Sequence, residues 1–181
     1  MNKNLRLGGF ILIILIGLYY INKQSQLSYT SNSTDLFSLS KDDVKKILIQ
    51  SNQEAIELVK TDTIWNISGN DTLVVKKQSM TQFFDKVLNL KLETLMTSKQ
   101  EKWETYNVSD STGTHLALVG WDDETIGYYV FGRSNSDYSR CYVRIEKSSN
   151  VYLVNENVVY SLQTSPTYWG ESPKENIPAE F

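Results

Sequence analysis

The sequence holds one cysteine, one histidine and three prolines in 181 residues. A lone Cys141 has no partner within the chain, so no internal disulfide holds the fold. It reads as a small buried strand residue rather than a nucleophile. A lone His115 leaves zinc chemistry and a histidine-based triad without their parts, and it is expected as a surface residue at a strand end. No catalytic residue, metal ligand set or cofactor is assigned. A basic excess is also missing. From Ser28 onward 15 Lys and Arg face 21 Asp and Glu, a net of −6. That balance argues against nucleic acid, whose phosphates need a basic footprint, and against adsorption to anionic lipid.

Long apolar runs are absent with one exception. Lys3 and Arg6 precede fifteen uncharged positions, Leu7 to Ile21. As a helix these span roughly 22 Å, short of a hydrocarbon core of about 30 Å. The run therefore lies between a secretory leader and a short transmembrane helix. No Ala-x-Ala-like site follows it, since Ala55 is the first alanine, and this favours an uncleaved anchor. Snorkelling by Arg6 and Lys23 absorbs the mismatch, and Tyr19 and Tyr20 stand where an interfacial aromatic belt would be. No cysteine lies near the run, which excludes a lipid-modified N-terminus. The positive-inside rule keeps the N-terminus cytoplasmic and exports the rest. Residues 1–27 are thus expected as a signal-anchor in the bilayer, 28–43 as a polar tether, 44–169 as an extracytoplasmic domain and 170–181 as a tail.

Within that domain the apolar pattern is mostly period two. Val44 to Gln50 and Glu54 to Lys60 flank Ser51, Asn52 and Gln53, a hairpin pattern. Ile64 to Ile67 and Thr72 to Lys76 follow as strands around Gly69, Asn70 and Asp71, with Trp65 as the large aromatic of this first sheet. One segment changes period. Met80, Phe83, Phe84, Val87 and Leu88 recur at helical spacing, and Ser79 with Gln82 is expected as a capping box. The apolar stripe should lie on the preceding sheet. Lys91 to Thr97 returns to strand, and Glu101 to Tyr106 is a short helical turn. His115 to Trp121, Thr125 to Gly132, Arg140 to Glu146 and Val151 to Val154 form a four-stranded meander. Asn157 is placed to cap a last short helix containing Val158, Val159 and Leu162. The expected class is α+β, mainly antiparallel sheet with one amphipathic helix packed on it, plus an N-terminal transmembrane helix.

This order, with its particular words, resembles a bacterial family called domain of unknown function 4340. The words are Trp-x-Ile at Trp65 to Ile67, Val-Leu-Asn-Leu at Val87 to Leu90, and Tyr-Asn-Val at Tyr106 to Val108. Phe-Gly-Arg at Phe131 to Arg133, Cys-Tyr-Val-Arg-Ile at Cys141 to Ile145 and Val-Tyr-Leu-Val at Val151 to Val154 complete the set. Asn107 departs from the pattern, which tends to carry glycine there. The resemblance implies an envelope protein held by one N-terminal helix in the inner membrane, its domain in the periplasm. Some members resemble companions of ABC-type transport or gliding machinery. The resemblance carries over no catalytic residue.

Two groups of side chains are candidates for binding. Arg133, Arg140 and Arg144 are the only arginines after Arg6, and two of them converging could fork onto a carboxylate or phosphate. The plainer reading pairs them with Asp137 and Glu146 on the sheet surface. Tyr128, Tyr129, Tyr138, Tyr142 and Tyr152 crowd the meander, and Tyr128 and Tyr142 are the candidates for an exposed binding face. Strand propensity explains the same tyrosines. Asp122, Asp123 and Glu124 offer hard-cation oxygens, but acids are common in hairpin turns and a solvated turn is preferred. The function that follows is a membrane-anchored, non-enzymatic accessory or assembly protein with a membrane or envelope protein partner. The alternative is a module binding an envelope polymer or a small anionic ligand.

Overall fold

The computed structural model describes residues 34–146 and 148–173. Its centre is a nine-stranded sheet in which every neighbouring pair is antiparallel. The strands are β1 (Thr34–Asp35), β2 (Lys46–Ser51), β3 (Glu54–Thr61), β4 (Ile64–Ile67), β6 (Lys91–Thr97), β7 (Thr114–Val119), β8 (Thr125–Arg133), β9 (Cys141–Ile145) and β10 (Val151–Val154). Their order across the sheet is β1-β6-β10-β9-β8-β7-β2-β3-β4. A two-stranded ribbon pairs β5 (Val74–Val75) with β11 (Gly170–Glu171). One substantial helix, α1 (Lys77–Val87), and one short helix, α2 (Pro166–Trp169), complete the domain. The class is α+β, and the meander and the first hairpin stand where the apolar alternation put them.

The helix lies on the sheet for the reason its period implies. Met80, Phe83, Phe84 and Val87 form one face and are buried. They meet Ile47, Ile49, Leu58, Leu116 and Phe131 from the sheet. Each such side chain contributes about 2 kcal/mol by leaving water. Phe83 stands edge-on to the buried Trp169, with centroids 5.7 Å apart.

The expected capping box does not form. The helix starts two residues before Ser79, and Lys76 at its N-cap makes no side-chain cap. The Lys76 N–H instead donates to the Trp169 carbonyl at 2.8 Å, so the start is set by the strand ribbon before it. Ser79 donates its hydroxyl to the Tyr168 carbonyl at 3.2 Å. Asn157 does meet its expectation in part: its side-chain oxygen accepts the Val159 N–H at 3.2 Å, above a single 3-10 turn (Val159–Ser161).

The domain also takes in residues assigned above to its flanks. Thr34–Asp35 pairs with β6, and Leu36 and Phe37 are buried. The Phe37 ring sits 4.5 Å from that of Tyr129, so the polar tether cannot extend as far as residue 43. Gly170 and Glu171 are strand residues rather than tail. Thr72 to Lys76 contributes only Val74 and Val75 as strand. Among the described residues no helix is long and apolar enough to cross a membrane; the expected span, residues 7–21, lies outside them.

Candidate functional site

The sheet face opposite α1 is covered over its middle strands. Residues 98–113 leave β6 through a 3-10 turn (Gln100–Lys102) and cross over β9 and β8 before entering β7. Val108, Val130 and Val151 form a second, small core there, with Trp103, Tyr106, Tyr128 and Tyr142 packed around it. The crossing is close. A Cβ on Gly132 would overlap the Tyr106 carbonyl oxygen and lie 2.6 Å from that of Asn107. Asn107 turns the chain at φ 54°, a left-handed conformation that favours glycine and tolerates asparagine best among the rest. Its amide then donates to the Arg133 carbonyl at 3.2 Å.

Arg144 is enclosed by this crossing and only 3% exposed. Its Nε donates to the Val108 carbonyl at 3.0 Å and Nη1 to the Glu146 carbonyl at 2.7 Å. Nη2 pairs with the Asp110 carboxylate, and the guanidinium carbon lies 3.9 Å over the Trp103 ring. Every face of the fork is engaged, so Arg144 holds the cover down and is closed to a ligand.

The three arginines do not converge. Arg144 lies across from Val130 of the outer core, whereas Arg133 lies across from Cys141 of the main core. Alternation therefore sends them to opposite faces. Arg140 is bound to Asp137 and to Glu93, the latter at 3.0 Å. Donors from Ser139 and Arg140 hold the Asp137 carboxyl down to about 2. Arg133 alone has no acidic partner among the described residues; it rests 5.2 Å over the Tyr160 ring. The tyrosines divide too. Tyr128 and Tyr142 pack on the outer core, Tyr129 and Tyr152 on the main one, and Tyr138 is in a loop at 75% exposure. These five tyrosines form no single platform among the described residues.

The remaining candidates resolve simply. The Tyr128 hydroxyl and His115 Nδ1 share a hydrogen bond, and His115 Nε2 faces the Asp110 carbonyl at 3.1 Å. Asp123 receives Lys45 and Lys46, both at 2.8 Å, which hold its carboxyl down to about 2. Its oxygens are committed to lysines, and no group of acidic, histidine or cysteine side chains among the described residues could hold a metal. Cys141 is fully buried, and burial pushes its thiol up to about 12.

The β4 edge of the sheet, on the side that carries α1, is open. There a groove of about 570 Å³ runs between the edge strand β4, the ribbon strand β5 and α1. Trp65, Phe84 and Met80 form its floor, with Trp65 and Phe84 centroids 5.8 Å apart. Ile64 and Val74 stand on its walls at 63% and 53% exposure. Its rim carries Lys41, Lys60 and Lys77 with Asp42 and Asp85. The sequence pattern did not reveal this groove. Its one signal was a pair of large aliphatic residues, Ile64 and Val74, on short strands that alternation leaves half in solvent.

A family described as a domain of unknown function (DUF4340) matches residues 65–173. The chain belongs to this family. No curated protein and no solved structure matches it significantly. The DUF4340 match opens at Trp65 on the groove floor and closes just after β11. Its words in this chain have structural roles: Val87, Leu90 and Val108 are fully buried, and Gly132 admits the crossing segment.

Proposed function

We propose that this protein is a membrane-anchored, extracytoplasmic accessory or assembly module that works through protein contacts rather than catalysis. The groove at β4 carries this reading. Large aliphatic side chains standing in solvent around an apolar cavity mark a contact surface, because isolated surface apolars do not gather over a concave aromatic floor. The sequence supplies the location: Leu7–Ile21 crosses the bacterial inner membrane with the N-terminus cytoplasmic and the domain periplasmic. An association with an ABC-type transport or gliding system is what the family resemblance supports.

Ile64→Glu tests the contact. Blue native electrophoresis of solubilised membranes should show the wild type in a complex well above the mass of one chain, and the variant should fall toward that mass. Unchanged migration would remove the reading. Protease added to intact spheroplasts tests the topology: the domain should be digested, and its survival beside a digested exported control contradicts export.

A second reading, a module for an envelope polymer or small anionic ligand, has one observation in its favour. Among the described residues Arg133 is exposed without an acidic partner, beside Tyr160 at 53% exposure. Arginine flanked by tyrosine recognises carboxylate or phosphate well. Arg133→Ala should then abolish binding to cell-wall fractions, and retained binding removes this alternative.

A further inference from the structure

Two of the three charges on α1 run against its dipole; the third, Lys86 in the last turn, runs with it and pairs with Glu156 at 3.4 Å. Lys77 is its first residue and Asp85 stands two residues before its last, whereas a helix favours acids at the start and bases at the end. Neither side chain makes an ion pair among the described residues. Both are exposed, and with Thr81 they form a stripe at i, i+4 and i+8 along the groove. Lys77 and Asp85 are therefore about 12 Å apart on one helix line, too far to pair with each other. Lys77 and Asp85 thus form a pair of opposite charges that no ion pair within the described chain engages.

From this we propose that the groove is occupied by a second copy of this chain, with the two α1 helices antiparallel across a two-fold axis at Thr81. The inference rests on the groove being a protein contact surface. A two-fold interface is self-complementary, and this stripe is so by construction: Lys77 of each copy meets Asp85 of the other. The positive end of each helix dipole then lies beside the partner's negative end and its aspartate. Thr81 at the centre is small enough for close approach, and the exposed Ile64 and Val74 are covered on both sides.

Other occupants fit less well. A partner strand added to β4 finds only four residues, and the Ile67 carbonyl already accepts the Asn70 N–H at 3.1 Å. A peptide of one charge sign meets both signs on the rim. The arrangement complements itself better than either.

The test uses the full-length chain in its membrane. Thr81→Cys with a short bis-maleimide should give a species of twice the chain mass. Tyr138→Cys, in an exposed loop, should not, and the buried Cys141 stays out of the reaction. Lys77→Glu or Asp85→Lys alone, each in the Thr81→Cys chain, should lower the cross-linked fraction about tenfold, since the symmetry places each substitution at two pairs. The double exchange should restore it, and it aligns the charges with the helix dipole, so folding is not at risk. Rescue by the double exchange supports the pairing, because residues this far apart cannot compensate within one chain. An adduct between Thr81→Cys and a different protein overturns the second copy while leaving the contact surface standing. A monomer throughout, with native complex size unchanged in Ile64→Glu, overturns both.

Discussion

The middle of the sheet and its β4 edge treat their surfaces differently. Over β8 and β9, residues 98–113 lie so close that Gly132 has no room for a side chain, and a buried arginine ties the cover to the strand beneath. At β4 no segment of the described chain lies over the edge, and Ile64 and Val74 stand in solvent beside an aromatic floor. The covered middle is built for internal stability. At the open edge the exposed Ile64 and Val74 add little to the monomer's own core, which is why contact with another chain is the role assigned to them.

Substitutions can break this contrast. The largest effect is expected at Gly132. Gly132→Ala places a methyl against backbone that cannot yield, and should cost about 3 kcal/mol in denaturant unfolding. Arg144→Met comes next, because it strips donors from the Val108 and Glu146 carbonyls and should cost about 2 kcal/mol. Arg140→Ala offers a control from the same strand region: its pairs are half-exposed and their loss should stay near or below about 1 kcal/mol. Equal losses at Arg140 and Arg144 would undo the claim that the cover is held by the buried fork.

Acid should act on the exposed turns rather than on either core. Asp123 and Asp137 are held down to about 2 in the fold, against about 4 in an unfolded chain. A depressed carboxyl stabilises fully above the unfolded value, and its contribution is lost as pH falls from about 4 toward 2. The melting temperature should decline over that window, and Asp123→Asn should shallow the decline. An Asp123→Asn profile identical to wild type would show that the lysine pairs contribute nothing. The smallest effect on stability is expected at the open edge. Ile64→Glu should change unfolding by no more than about 0.5 kcal/mol, the range of an ordinary surface substitution, while it dissociates the native complex.

How much of this was legible in the sequence follows from how local each feature is. Lys91–Thr97 and Ile64–Ile67 appear with the bounds their alternation marks, and the buried face of α1 is the one its spacing names. Asn107 stood out only as a departure from a family glycine, and its φ of 54° supplies the reason the departure is tolerated. The misses depend on distant partners. Leu36 and Phe37 are two apolar residues among polar ones and have no period; only β6 and Tyr129 make them core. Ser79 and Gln82 have capping spacing, but the same spacing occurs inside any helix, and the pairing of β5 with β11 moved the start. Arg144 looked like a surface strand residue because the partners that enclose it lie 34 to 41 positions away. The groove depends on β4 being the last strand in the sheet, an order that consecutive hairpins do not reveal.

Amide hydrogen exchange on the full-length protein in its membrane, wild type against Ile64→Glu, tests the central contrast most directly. The account predicts faster exchange in the variant for residues 64–67 and 74–85, with Trp103–Gly113 unchanged. Identical exchange at the β4 edge, or a change confined to the covered face, would contradict it.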